Sequence, residues 1–196
     1  MARGAVYALQ KEPRYAVKSL YGPSVTSMRH IIAILLQNEA GALGRVAGLF
    51  STRGYNIESL SVAPTDTPTV SRLTLVTTGN DAVVAQIVSQ LRKLIDVVLV
   101  EDLTRGDHFE RELLLLKLKV SASQLESLTA LVTEAAGRIL SGALASFVIE
   151  LTSSEAQVSR FLAQASQYGE VLEVVRSGAL GIRQGAPRAS THGAAA

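Results

Sequence analysis

The segment from Gln37 to Gly48 contains the residue types in this sequence that are best suited to bind a small molecule. Gly41 falls at the predicted amino end of a helix, where unpaired backbone N–H groups and the helix dipole favour an anion. Asn38 carries an amide that both donates and accepts, which suits the zwitterionic head of an amino acid. A simple cap on the following helix is the alternative explanation of Asn38. The pattern indicates a small carboxylate ligand at a helix N-terminus.

The side chains around this turn narrow the chemical class of the ligand. A phosphate would be expected to recruit a lysine or an arginine fork, yet Arg45 is the one basic residue nearby in the segment. A carboxylate needs less positive charge, and apolar neighbours would accept an aliphatic side chain attached to it. These neighbours are Leu36, Leu43 and Ile57. The residues therefore favour a small aliphatic carboxylate, at a position that a subunit interface could share.

Gly44 and Gly48 lie on the same side of the predicted helix as Gly41. Inside a helix each glycine costs roughly 0.8–1 kcal/mol relative to alanine, so a close approach should compensate. For Gly44 and Gly48 we expect tight packing of this small face against another helix or sheet. Gly41 differs because it lies at the amino end of the helix.

The rest of the sequence offers no catalytic constellation. There is no cysteine, which excludes disulfides, thiolate zinc sites and cysteine nucleophiles. The three histidines, His30, His108 and His192, are scattered, and the charged residues around His108, at 105–112, are typical of a solvated, self-paired run rather than a metal site. No phosphate-binding loop or nucleophile elbow is present. An enzyme acting alone is therefore not predicted.

The distribution of charge argues against nucleic acid as a partner. The formal net charge is +2, but residues 1–30 hold five Lys or Arg against one acid and residues 177–196 hold two Arg and no acid. The middle of the chain is therefore acidic, which is the wrong arrangement for a nucleic-acid face. No apolar run approaches the roughly 20 residues that span a bilayer. Neither nucleic acid nor a membrane is an expected partner.

Hydrophobic periodicity predicts a βαββαβ unit over residues 29–102. Predicted strands lie at 31–36, 55–62 with a bulge near 58–59, 70–77 and 97–100. The first helix carries Leu43, Val46, Ala47 and Phe50 on its inner face and stops at Gly54. The second helix is capped by residues 79–81 and presents a stripe of Val84, Ile87, Val88, Leu91, Leu94 and Ile95.

The same order of elements is predicted again in the second half of the chain. Strands are expected at 113–120, 139–140, 147–151 and 171–175. Capping boxes at residues 121–124 and at Ser154 with Gln157 should open the two helices. The predicted fold is α+β, with two tandem ferredoxin-like domains at 28–104 and 105–184, a disordered extension at 1–27 and a disordered tail at 185–196. Since 31–36 is apolar on both faces, another chain or the other domain should cover its bare face, and we expect a dimer or a higher assembly.

Several segments resemble a known family. The sequence of residues 29–43, the Arg-Gly-Tyr-Asn-Ile-Glu-Ser-Leu run at 53–60 and the segments at 90–97, 110–113 and 173–178 are similar to the small, regulatory subunits of acetolactate synthase, also called acetohydroxyacid synthase. The resemblance covers about residues 28–184 and is weaker in the second half. It implies that the first domain is an ACT domain. The extension at 1–27 matches nothing in the family, and a start of translation at Met28 would explain it.

The resemblance also implies a function. Family members bind valine or a related branched-chain amino acid at a dimer interface of ACT domains, activate a thiamine-diphosphate-dependent catalytic subunit and make it sensitive to feedback inhibition. Thiamine diphosphate, Mg and FAD are then expected on the catalytic partner alone, with no cofactor on this chain. The implied effector site consists of Asn38, the backbone of Gly41, Ala42 and Leu43, and Asn56 and Ile57 from the neighbouring protomer. A cytoplasmic location is expected, without organelle targeting by residues 1–27.

Overall fold

A computed structural model describes residues 28–185, which fold into two antiparallel sheets that carry four α-helices. The expected α+β class is confirmed. The predicted extension at 1–27 lies outside the described residues, as does the predicted tail at 185–196 apart from its first residue, Gly185. No helix among residues 28–185 combines the length and the apolar character that crossing a membrane requires.

The first unit has the predicted βαββαβ order. Its elements are β1 (Met28–Gln37), α1 (Ala42–Thr52), β2 (Ser59–Pro64), β3 (Val70–Gly79), α2 (Asp81–Leu91) and β4 (Val97–Asp102). The strands lie in the order β2-β3-β1-β4, so β1 is central and is paired along its whole length with β3. Alternate residues of β1, Ile32, Ile34 and Leu36, are buried beneath the two helices. Because alternate side chains of a strand point to the same face, these three residues of β1 form the centre of the first core.

The helices of this unit differ from the prediction at their edges. The buried face of α1 consists of Ala42, Val46, Leu49 and Phe50, whereas Leu43 and Ala47 are exposed. α2 ends at Leu91, and Ile95 is 88% exposed instead of continuing the apolar stripe. Asn80 caps α2 as expected, because its Oδ1 accepts the N–H of Val83 at 2.8 Å.

The predicted strand at 55–62 is wrong in its first half. β2 begins at Ser59, and residues 55–57 run irregularly from the end of α1, where Gly54 has the predicted positive φ of 68°. Tyr55 packs edge-on against Phe50 with ring centroids 6.1 Å apart, and the N–H of Glu58 reaches Val76 O at 2.9 Å. The sequence pattern suggests a bulge near residues 58–59. In the structure that position is instead the junction between the irregular connection and β2.

The second unit repeats the topology of the first. Its elements are β5 (His108–Val120), α3 (Leu125–Glu134), β6 (Arg138–Ser141), β7 (Phe147–Ser153), α4 (Glu155–Ala165) and β8 (Gly169–Arg176). The strand order β6-β7-β5-β8 corresponds to that of the first sheet. The capping box at α4 is confirmed: Gln157 Oε1 accepts the Ser154 N–H at 3.5 Å and the Ser154 hydroxyl at 3.1 Å.

The box predicted at 121–124 is wrong. A short 3₁₀ turn at Ala122–Gln124 precedes α3, and the Ser121 hydroxyl lies 3.0 Å from the Ser123 hydroxyl instead of capping the helix.

A strand that the sequence did not reveal covers the bare face of the first sheet. β9 (Leu180–Arg183) pairs with the first four residues of β5. Ahead of β9, Ala179 packs with Leu103 against Ile31, Ala33 and Val76 on the face of the first sheet that carries no helices. A methyl group added to Gly181 would lie 2.7 Å from Leu103 Cδ1. The second half of the chain therefore covers part of this face, in agreement with the expectation that the other domain or another chain would do so.

The charged run at 105–112 is partly buried, contrary to the prediction that it is solvated. Glu112 is 4% exposed and holds Arg176 through two hydrogen bonds, with Arg176 Nη2 2.5 Å from Glu112 Oε2. Glu110 pairs with Arg29 of β1 at 2.5 Å and so joins the two units. Because β5 extends back to His108, these carboxylates lie on a strand, where Glu112 meets Arg176 of the neighbouring β8 and Glu110 meets Arg29 of the other sheet. Within residues 28–185 no three His, Asp or Glu side chains group as metal ligands.

Candidate functional site

The turn between β1 and α1, residues 38–41, is held by backbone and side-chain hydrogen bonds. The N–H of Gln37 donates to Asp96 O and the N–H of Asn38 to Thr69 O, both at 2.8 Å. The Asn38 side chain does not cap α1; its Nδ2 donates to Pro68 O at 3.0 Å. Within residues 28–185 no donor reaches Asn38 Oδ1, so that oxygen remains an acceptor for a bound amine.

Gly41 is the residue that begins α1. It is the N-cap and has a φ of 88°, a left-handed conformation that a side chain would strain. In the part of the chain that the structure describes, the N–H groups of Leu43 and Gly44 find no acceptor. Two donors at the positive end of the helix therefore point out of the turn, which is the geometry that a carboxylate needs.

An ion pair beside this turn, between exposed Arg45 and buried Asp96, was not foreseen from the sequence. Arg45 donates to both carboxylate oxygens of Asp96, with Nη2 2.6 Å from Oδ1 and Nε bound to Oδ2. These hydrogen bonds hold the pKa of the Asp96 carboxyl below its usual range and raise the pKa of Arg45. The two residues are 51 positions apart, and no local pattern links them. Since two of its donor atoms bind Asp96, Arg45 has little hydrogen-bonding capacity left for a ligand.

A cavity of about 220 Å³ adjoins the turn on the side of β2 and β3. Its polar walls include Asn38, Glu39 and Ser71. Its apolar walls are Leu36, Ala42, Leu43, Val62, Ala63 and Pro64. No lysine or arginine is among the lining residues. A small aliphatic group fits such walls, whereas an anionic side chain would find no counter-ion among the lining residues.

Asn56 and Ile57 lie elsewhere in the protomer. They line a groove of about 1000 Å³ between the two units, and Asn56 O accepts a hydrogen bond from the Thr77 hydroxyl at 2.6 Å. Asn38 is bonded to Thr69, eight residues from Thr77 along β3, which is roughly 25 Å of strand. One protomer therefore brings Asn38, Gly41, Ala42 and Leu43 together but not the other two predicted residues.

The tight packing predicted for Gly44 and Gly48 does not occur within this protomer. Both glycines are exposed, and a methyl group added to either would meet no atom within 4 Å. Their face of α1, which also carries Leu43 and Ala47, is open in the single chain. The energetic cost of these glycines is therefore not offset by contacts inside the protomer.

Comparisons with known proteins identify the family. Residues 32–99 match the model of the AHAS small subunit-like ACT domain, and residues 111–185 match the model of the small subunit of acetolactate synthase. The chain is 43% identical over 158 residues to the acetolactate synthase isozyme 3 small subunit of Escherichia coli K12, a match that covers 81% of this chain and 97% of that protein. The chain belongs to the acetolactate synthase small-subunit family. Its members are regulatory rather than catalytic subunits.

Other relatives agree with this membership. The acetolactate synthase small subunit of Haemophilus influenzae is 41% identical over 81% of this chain and 97% of its own length. The crystal structure of the acetolactate synthase small subunit from Thermotoga maritima superposes with a TM-score of 0.73 at 30% identity, covering 82% of this chain and 99% of that one. The tandem ferredoxin-like fold and the ACT assignment of the first unit are thereby confirmed.

Proposed function

We propose that this protein is the regulatory subunit that associates with the catalytic subunit of acetolactate synthase, activates it, and makes it sensitive to valine or another branched-chain amino acid. One observation carries the choice of effector. The β1–α1 turn presents two free helix N–H donors and an amide acceptor beside an apolar cavity that no cation lines. These groups complement a carboxylate, an ammonium and an aliphatic side chain, which together make an aliphatic amino acid.

The proposed binding mode assigns each group of the effector to part of the turn. The N–H groups of Leu43 and Gly44 receive the carboxylate, and Gly41 leaves room for it. Asn38 Oδ1 accepts from the ammonium while Asn38 Nδ2 stays on Pro68 O. The aliphatic group enters the cavity between Leu43 and Val62.

A homodimer completes the proposed site. Val62 is half-exposed on β2, which is an edge strand of the first sheet, so the cavity lies beside a surface that a second copy could meet. In the proposal the second copy supplies Asn56 and Ile57. This assignment explains why two groups of site residues lie roughly 25 Å apart along β3 of a single chain.

The proposal places the chemistry on the partner. Thiamine diphosphate, Mg and FAD belong to the catalytic subunit, this chain carries no cofactor of its own, and the complex acts in the cytoplasm. Valine inhibits because it binds one state of the complex better than another, and the free-energy difference between the two affinities sets the strength of inhibition.

Reconstitution with the cognate catalytic subunit tests the function. We expect the purified protein to form no acetolactate by itself, to raise the rate of the catalytic subunit, and to make that rate fall when valine is added. Leucine and isoleucine should be titrated in parallel, which shows the preferred effector. An unchanged rate together with unchanged sensitivity to all three amino acids would refute the proposal.

A further inference from the structure

We propose that Asp96, acting through Arg45, is a positioning residue that fixes the amino end of α1 for the effector, from the side of the turn opposite to Asn38. The inference rests on the proposed function, since it concerns the same turn. It gives a role to an ion pair in which the carboxylate is buried and the guanidinium is partly exposed, and which contacts no predicted ligand group directly.

Asp96 holds both elements that meet at the turn. Its side chain is 5% exposed and accepts hydrogen bonds from two donors of Arg45, the fourth residue of α1. Its backbone carbonyl accepts the N–H of Gln37, the last residue of β1, at 2.8 Å. A single residue thus ties the end of the strand and the beginning of the helix to the same point, directly ahead of β4.

The opposite side of the turn is held by the connection between β2 and β3. Asn38 donates from its backbone to Thr69 O and from its side chain to Pro68 O. Because the strand order is β2-β3-β1-β4, this connection and Asp96 lie on opposite flanks of β1. The effector turn is therefore held from both sides, and release of either side would let it shift.

Arg45 lies against the residue that begins the helix. It follows Gly41 by four positions, so both are on one face of α1, and its Nη1 is 3.1 Å from where a Cβ of Gly41 would lie. When Asp96 loses its charge, the guanidinium loses its buried counter-ion and its fork geometry. We expect it to move away from Gly41, and the donors of Leu43 and Gly44 to lose their alignment, because hydrogen bonds weaken steeply with angle.

The chain provides a matched control on β4, the strand that follows Asp96. Glu101 of β4 also pairs with an arginine, since Arg183 Nε lies 3.2 Å from Glu101 Oε1, and both side chains are largely buried. This pair faces β9 rather than the effector turn. Glu101→Gln therefore makes the same kind of chemical change as Asp96→Asn, five residues further along the chain, without touching the turn.

The test uses the full-length protein and two measurements. Calorimetry gives the dissociation constant of valine, and hydrogen–deuterium exchange without ligand reports the amides of residues 38–44. For Asp96→Asn we expect valine binding weaker by roughly fivefold or more and faster exchange in the turn. Glu101→Gln should leave both at the wild-type values. Arg45→Lys keeps the charge but loses the fork, so it should shift both in the same direction by less.

The outcomes of these two measurements decide whether Asp96 positions the turn. Wild-type exchange and wild-type affinity in Asp96→Asn would overturn the inference, and so would equal changes in Asp96→Asn and Glu101→Gln, which would show a general effect on stability. If Asp96→Asn does not fold, Arg45→Lys is judged by the same criteria. If the wild-type protein binds no valine, the proposed function fails, and the exchange of residues 38–44 alone decides whether Asp96 positions the turn.

Discussion

The two units of this protein share a topology but differ at the first turn between strand and helix. In the first unit, residues 38–41 end in a left-handed Gly41 and leave two helix N–H groups free within the described chain. In the second unit β5 runs into a 3₁₀ turn, where the N–H of Gln124 is satisfied by Ser121 O at 3.1 Å. No glycine occurs between Val120 and Leu125.

The proposed function assigns effector binding to this turn of the first unit. Both units bury a continuous apolar core under two helices, so packing does not distinguish them. The distinction is made by a four-residue turn with one positive φ in the first unit. Under the proposed function, effector binding therefore depends on a local turn of the first unit, and the second unit takes no part in it. The following predictions test that division, from the largest expected effect to the smallest.

A cavity in the second core should lower stability and leave effector binding intact. Leu116 is fully buried in β5, so Leu116→Ala removes apolar contacts and leaves a void, which costs about 2–5 kcal/mol of unfolding free energy. Urea denaturation measures the loss, and Lys119→Ala on the same strand, which is exposed, is the control. The valine dissociation constant should stay at the wild-type value at temperatures where the variant is folded. A parallel loss of affinity would show that the second unit takes part in binding.

A side chain at Gly41 should abolish most effector binding. Gly41→Asp strains a backbone with φ of 88°, meets Arg45 and puts a negative charge where the carboxylate is expected. We expect a loss of about 2–3 kcal/mol, or roughly 30- to 150-fold in the valine dissociation constant by calorimetry. Ser121→Asp, at the corresponding turn of the second unit, should bind valine as the wild type does. Equal behaviour of the two variants would remove the distinction between the turns.

Removal of the Asn38 amide should have an intermediate effect. Asn38→Ala loses the acceptor for the ammonium and the 3.0 Å hydrogen bond to Pro68 O. A loss of about 1–2 kcal/mol corresponds to roughly tenfold weaker binding of valine, measured by the same calorimetry. Ser123→Ala in the second turn provides the control. Wild-type affinity in Asn38→Ala would exclude this side chain from the site.

The ion pair of Asp96 with Arg45 should make a small contribution to the loss of stability at acid pH. Arg45 lowers the pKa of Asp96, so the folded state binds its proton less readily than the unfolded state. The resulting stabilisation is present at neutral pH and is lost as the pH falls below about 4. Asp96→Asn should therefore lose unfolding free energy less steeply than the wild type between about pH 5 and pH 3, by urea denaturation.

Lys117 likewise lowers the pKa of Glu173 in the second unit, but the Glu173 side chain is 55% exposed, against 5% for Asp96. Because solvent screens this pair, Glu173→Gln should change the acid-induced loss of unfolding free energy by less than Asp96→Asn does. If the unfolding free energy of Asp96→Asn falls with acid pH as steeply as that of the wild type, the pair with Arg45 adds nothing to stability.

The sequence predicts most of the elements because local periodicity determines them. The stripes of α1 and α2, the cap at Asn80 and the box at Ser154 follow from residues within one or two turns of each other. The errors arise where partners are distant or the pattern is short. β9 has four residues, and its place is set by Gly181 against Leu103, far away in the sequence.

The candidate site shows the same limit. Gly41 and Asn38 stand out locally because a glycine at a helix start and a preceding amide are recognisable in sequence. The ion pair of Arg45 with Asp96 spans 51 residues, and the hydrogen bond from Asn38 to Pro68 spans 30. Contacts at such separations depend on the sheet order, which a single sequence does not reveal.

One measurement tests the central claim directly: hydrogen–deuterium exchange of the wild-type protein with and without saturating valine. Both turns are followed in the same molecule, so global changes in stability cancel in the comparison. The account predicts slower exchange for the amides of residues 38–44 when valine is present, with no change at residues 121–125. Protection at 121–125 instead, or no protection at 38–44 while valine binds, would contradict it.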